Sequence, residues 1–143
     1  MLLKFTKMQS LGHDMMVVNA VTQKVFFSAD KVRRLAHRHF GVGFEMMVLI
    51  EPPYDPELDF HYQLISADGE TVESYSHAAA CCCMRFVVEH KLTSKRTINV
   101  SSAHSHQTLT LNDNMTVTVQ KFEDTPAMTS SCERIYEGTL VID

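Results

Sequence analysis

The stretch whose reading decides the fold is Ser74–Leu92, SYSHAAACCCMRFVVEHKL. Ser74 and Ser76 precede an unbroken run of helix-compatible residues, and a serine just ahead of such a run caps the free N–H groups of a helix start. The spacing therefore predicts a helix beginning near His77. From Ala78 to Val88 its side chains are small or apolar on nearly every face, with only Arg85 charged, and a helix apolar all round is buried all round. Ending in Glu89, His90 and Lys91, it is too short and too charged to span a bilayer. The simplest arrangement is a helix enclosed by strands.

Working outward, the N-terminal side predicts strands at Leu2–Met8, Met15–Val18 and Lys24–Phe27, with Gly12-His13-Asp14 as a turn. Ser28 caps a helix over Asp30–His39 whose apolar stripe is Val32, Leu35 and Ala36, and Gly41-Val42-Gly43 closes it. Met46–Ile50 is a buried strand, Pro52-Pro53 a break, and Asp59–Ser66 a strand before the turn at Asp68-Gly69. On the C-terminal side come strands at Thr97–Ser102, Gln107–Leu111 and Thr116–Lys121, with a turn at Asn112-Asp113-Asn114, then a break at Pro126 and a last strand over Arg134–Ile142. Strands with two interspersed helices argue for α+β. No repeat, low-complexity tract or linker interrupts the 143 residues, which suit one domain.

The 45% hydrophobic and 21% charged shares are those of a soluble globular protein. A formal charge of −4 argues against a broad nucleic-acid or anionic-membrane surface, leaving only a local basic patch at Lys91, Lys95 and Arg96. Lysines interrupt the apolar residues of MLLKFTKMQS, so the expectation is a cytosolic protein without signal peptide or anchor. Cys81, Cys82 and Cys83 are consecutive, which suits neither a disulfide between neighbours nor the spacing of a metal site. They read as small buried apolar residues. Cys132 stands alone and carries no signal.

Five runs carry a family resemblance: KMQSLGHD from Lys7, AVTQKVFFS from Ala20, RRLAHRHFGVGF from Arg33, EPPYDPELDFHY from Glu51 and Ala67-Asp68-Gly69. Together they closely resemble the N-terminal domain of bacterial diaminopimelate epimerase over roughly residues 1 to 120. The tail MTSSCERIYEGTLVI, Met128–Ile142, resembles the family's extreme C-terminus, which returns to the first domain. The resemblance implies one α+β domain over 1–143, with a core to residue 120 and a returning segment over 121–143. Its curved mixed sheet wraps around a central helix. It also implies that the family's second domain is absent.

Enzymes of this family move a proton at an amino-acid α-carbon between two cysteine thiols, one from each domain, without a cofactor. Where the family reads Cys-Gly-Asn-Gly ahead of its central helix, this chain has Tyr75-Ser76-His77-Ala78, so the thiol position falls on Tyr75 or Ser76. A tyrosine hydroxyl titrates at about 10, and serine is weaker still as a base at neutral pH. Ser76 and Ala78 put side chains where glycines let backbone N–H groups meet a substrate carboxylate. The family's other ligand positions map onto His13, Met46, Ser66 and His104, each changed from the family's residue.

The resemblance therefore implies a scaffold kept and a ligand set replaced, which leaves three expectations. The first is a non-catalytic binding or inhibitor protein, with no cofactor and no metal. Its former cleft face, lined by His13, Met46, Ser66, Tyr75, His77 and His104, meets a protein partner: another copy, whose face-to-face pairing would imitate the two-lobed family, or a foreign protein. The second is a repurposed cofactor-free isomerase or cyclase that binds a small molecule and uses His13, His77, His104 or Tyr75 as acid and base. The third is a decaying paralogue. His104-Ser105-His106 could chelate from one strand face but has no third ligand in view.

Overall fold

The computed structural model describes residues 2–103, 105–121 and 125–142. Ten strands, β1 (Leu2–Ser10), β2 (His13–Asn19), β3 (Met46–Glu51), β4 (Phe60–Ser66), β5 (Thr71–Val72), β6 (Thr97–Ser102), β7 (Ser105–Leu111), β8 (Val117–Lys121), β9 (Met128–Ser130) and β10 (Glu133–Val141), form one mixed sheet. Its order is β10-β1-β2-β3-β4-β6-β7-β8-β9, with the short β5 beside β4. Two helices, α1 (Ala29–Ala36) and α2 (His77–Glu89), make the crossovers between the parallel pairs β2/β3 and β4/β6.

The expected α+β architecture, a curved mixed sheet around a central helix, is the one observed. Helix α2 is capped by Ser76, whose hydroxyl accepts from Ala79 N at 3.2 Å, and Ala78 to Met84, Phe86 and Val87 are all buried. Met8, Met15, Val17, Val48, Ile50, Tyr62, Leu64, Ile98, Val100, Leu109 and Val119 point at it from the strands. Their alternates Leu3, Phe5, Met16, Val18, Met47 and Leu49 pack on the opposite face beneath Val32 and Ala36 of α1. With α2 inside and α1 outside, β2 is buried on both faces, which is why Met15–Val18 is a continuous apolar run rather than an alternation.

One returning segment joins the two ends of the sheet. Its first part, β9, pairs with β8, and after Ser131 and Cys132 its second part, β10, pairs with β1. At that crossing, helix and segment are tied by polar contacts. Ser10 Oγ donates to Ser131 O at 2.8 Å. Arg85 Nη1 donates to Cys132 O at 2.8 Å and lies 3.4 Å from Met115 O, while its Nε and Nη2 hold Glu89 Oε1 at 3.0 and 2.7 Å. His77, Cys81, Arg85 and Glu89 are spaced four apart, so they form a single polar stripe on an otherwise apolar helix, and the seam lies along it.

Several boundaries differ from the expectations. Lys24–Phe27 is not a strand: no β pairing involves it, Val25 and Phe27 tuck against the outer core, and Phe26 is 81% exposed. The first turn is Leu11-Gly12, both at positive φ (56° and 82°), and His13 already belongs to β2 opposite Ser10. Helix α1 ends at Ala36 rather than His39, because His37 turns to extended backbone and its Nδ1 accepts from both His39 N and Phe40 N at 3.1 Å. Strands β5 and β9 were not foreseen; two or three residues carry no readable alternation. Cys132, without signal in the sequence, is buried in the inner core.

Replacing Arg85 by alanine strips Cys132 O and Glu89 of their partner inside the seam. The expected loss is about 3 kcal/mol, measurable as a lowered urea midpoint, with Arg85→Lys recovering only part because it lacks the guanidinium's several fixed donors.

Candidate functional site

The start of α2 and the rim of strands around it hold the candidate residues. Ser10 and His13 are paired across the first hairpin, Met15 lies opposite Met46, and Met46 lies opposite Ser66. The register thus brings His13, Met46 and Ser66 to one rim of three adjacent strands. His77 stands over the same rim, because its Nε2 is 2.8 Å from Ser130 Oγ and the next residue, Ser131, is held by Ser10. His104 lies outside the described residues.

Each rim group has a partner within the chain. His13 Nδ1 is 2.6 Å from Glu45 Oε2. Glu45 N in turn donates to Asp14 O and Oδ1 at 3.1 and 3.0 Å. Asp14 is the hub of this corner, with Arg38 at 2.7 Å and Lys7 at 3.2 Å. The Arg38 guanidinium above all, with the Lys7 ammonium, holds the Asp14 carboxyl well below the usual range despite its partial burial. Ser66 Oγ donates to Asp68 Oδ1 and to Glu70 O. Met46 is half-buried against the inner core, Ala78 is fully packed, and Ser76 is the helix cap.

At the helix mouth four side chains form a continuous hydrogen-bonded path. Tyr75 OH is 3.1 Å from His77 Nδ1, His77 Nε2 reaches Ser130 Oγ, and Ser130 Oγ is 3.0 Å from Cys81 Sγ. Cys81 Sγ is also 3.5 Å from His77 Nε2. Burial raises the Tyr75 hydroxyl far above its usual value, with a smaller contribution from Cys81, and burial lowers the His77 imidazole. Burial pushes the Cys81 thiol up to about 11, partly offset by its bond to Ser130. Phenol, imidazole and thiol are all neutral at pH 7. Beside Tyr75 a cavity of about 300 Å³ is lined by Val119, Lys121, Pro126 and Met128, with Lys121 Nζ 4.5 Å from the centre of the Tyr75 ring.

Sequence reasoning found Tyr75 and His77 but missed Ser130 and Cys81. The available signal was the four-residue spacing of His77, Cys81 and Arg85, which marks one helix face; nothing local pointed to Ser130. Cys132 Sγ donates to Cys81 O at 3.4 Å and shares a hydrogen bond with the Cys82 thiol, so it belongs to the helix's packing rather than standing alone. Among the described residues no three His, Cys, Asp or Glu side chains are grouped to hold a metal ion, and no helix is long and apolar enough to cross a membrane.

The model of the family described as diaminopimelate epimerase matches residues 5–127. The chain belongs to that family. Among solved structures it resembles a phenazine biosynthesis protein of the PhzF family from Bacillus anthracis, with a TM-score of 0.59 at 12% identity over 85% of this chain and 40% of that one. It also resembles a hydroxyproline epimerase from Agrobacterium vitis with bound trans-4-hydroxy-L-proline, with a TM-score of 0.61 at 14% identity over 82% of this chain and 41% of that one. A methylitaconate Δ-isomerase matches with a TM-score of 0.65 at 9% identity over 98% of this chain and 95% of that one. At these identities the likeness is one of fold. The chain spans about two fifths of the length of the first two proteins.

Two solution measurements follow from the mouth's chemistry. All four cysteines are buried, so the native protein is expected to show no thiol reacting rapidly with an aromatic disulfide reagent at neutral pH, and four after unfolding. Because the folded pKa of His77 lies below its ordinary 6.5, the unfolded state takes up the proton first as pH falls. Its contribution leaves stability untouched above pH 6.5 and erodes it progressively below. Stability-versus-pH curves of the protein and of His77→Gln are therefore expected to converge as pH falls from 6.5.

Proposed function

We propose that this chain acts by binding protein through the rim around the start of α2, not by two-thiol epimerisation, and that the protein bound is a second copy of the chain. The observation that carries the reading is that the rim's polar groups are already spent on one another. Tyr75, His77, Ser130 and Cys81 form a closed path, His13 is held by Glu45, Ser66 by Asp68 and Glu70, and Ser76 by Ala79 N. A base for an α-proton needs a free lone pair aimed at the substrate and a pKa matched to the task. Such a base is not supported by this arrangement, in which the resemblance also puts Tyr75 or Ser76 at the family's thiol position.

Support for a protein surface comes from the same rim. Leu11 in the first hairpin is 58% exposed and Met128, which lines the cavity beside Tyr75, is 54% exposed. Exposed apolar groups beside polar groups that are already satisfied give a surface that a partner can cover without stranding unpaired donors. A two-fold pairing of these rims would set one domain opposite another, as in two-lobed members of the family, and its interface would be self-complementary.

A repurposed isomerase is the second reading, favoured by one feature: the Tyr75–His77–Ser130–Cys81 path ends beside a cavity that carries the cation of Lys121. It would use His77 as the proton carrier, and His77→Gln would then abolish a turnover that the first reading does not require.

Incubation with diaminopimelate in deuterium oxide is expected to leave the α-hydrogen unexchanged; measurable exchange would end the exclusion of epimerase chemistry. Light scattering after size exclusion is expected to show a dimer in the micromolar range that reverts to monomer in Leu11→Asp/Met128→Asp. A folded protein that stays monomeric at every concentration would remove the self-association.

A further inference from the structure

A second surface, built from α1, the loop behind it and the end of β10, has the makings of a docking groove. Residues 37–43 turn tightly under α1. Gly41 N donates to His37 O and Gly43 N to Leu35 O, and a Cβ at Gly41 would come within 2.2 Å of Arg34 O. The approach is closed to any other residue, and the turn it forms lifts Phe40 outward. Phe40 is 88% exposed, its ring 4.7 Å from that of His37 and its N–H bonded to His37 Nδ1. A large aromatic standing in water, rather than folded back onto the core, is a surface available for contact.

Below Phe40 lies a groove of about 300 Å³ with an apolar floor of Phe27, Leu35, Val42 and Leu140. Its far wall is Val141, itself 75% exposed. On its near wall stand Lys31 and Arg34, three residues apart on α1. Neither has an ion-pair partner among the described residues, whereas their neighbours Arg33 and Arg38 are paired with Asp30 and Asp14. In a chain of net charge −4, two cations without ion pairs among the described residues stand together beside an apolar trough.

The strand edge beside the groove is uncommitted. Among the described residues β10 pairs only with β1, and the two halves of its other edge differ. The first half carries Glu133, Arg134 and Glu137 and is bent by the irregularity at Ile135, the devices that keep a strand edge from recruiting another chain. The second half, Gly138-Thr139-Leu140-Val141, has no charge and no bulge, and it is the half that borders the groove.

We propose that this groove binds an extended acidic segment of a partner protein. The segment adds to the edge of β10 at Gly138–Val141, with alternate apolar side chains in the trough and carboxylates on Lys31 and Arg34. Backbone pairing supplies affinity, and the pockets and cations supply selectivity. An extended peptide, unlike a small apolar acid, uses all three features at once.

The probe is a fluorescein-labelled peptide of alternating glutamate and valine with a central phenylalanine, titrated with the intact protein and read by polarisation. Expected is saturable binding in the micromolar range that weakens by about tenfold or more in Lys31→Glu/Arg34→Glu and in raised salt, with the amide signals of Leu140 and Val141 shifting on titration. Phe40→Ser, a surface change that leaves the circular dichroism unaltered, is expected to weaken binding as well. Absence of saturation to millimolar peptide, equal binding of a lysine-for-glutamate peptide, or shifts that spare Leu140 and Val141 would overturn the proposal. So would decanoate binding as tightly as the peptide and displacing it, which would make a small apolar anion the occupant.

Discussion

The contact on which this structure depends is the grip of Arg85 on the returning segment. A helix buried on nearly every side leaves a guanidinium little access to water, so most of its charge and donors are met inside, by Glu89 and by the carbonyls of Cys132 and Met115. The Cys132 carbonyl sits where the segment leaves β8 and takes up β1, and the Met115 carbonyl in the turn that leads into β8. One side chain thus satisfies its own burial and fixes the place where the sheet's two ends meet.

The same stripe explains the chemistry of the mouth. His77 and Cys81, about two turns and one turn ahead of Arg85, reach Ser130 on the segment, so the groups that could have handled a proton are engaged in holding the fold together. Burial then acts on each in the direction that keeps it neutral, up for phenol and thiol and down for imidazole. Structure and site are not separable here: the grip that encloses the helix also occupies its open end.

The main architecture was legible because long-range burial leaves a strong local trace. The apolar run Ala78–Val88 gave the enclosed helix, Ser76 and Ser28 gave both caps, and the doubly buried β2 appeared as Met15–Val18. Lys24–Phe27 misled because its apolar residues serve packing against the outer core without backbone pairing. His39 was included in α1 because nothing in the sequence shows that the His37 ring takes the N–H groups that would have continued the helix. Of the rim, Tyr75, His77, His13, Met46 and Ser66 were found through the family resemblance, and strand register puts the last three side by side. Ser130 and Cys132 were invisible: each acts through a partner some fifty residues away, and a single polar residue in a tail has no period to betray it.

The most direct test of the central claim is native-state hydrogen exchange resolved along the chain. If the stripe on α2 binds the returning segment into one cooperative unit, the β1-bonded amides of β10 and the interior amides of α2 are expected to exchange with the same free energy, that of global unfolding, and to fall together in Arg85→Ala. Exchange of β10 through an opening several kcal/mol cheaper than that of α2 would contradict it, showing a segment that merely lies against the sheet instead of tying its ends to the helix.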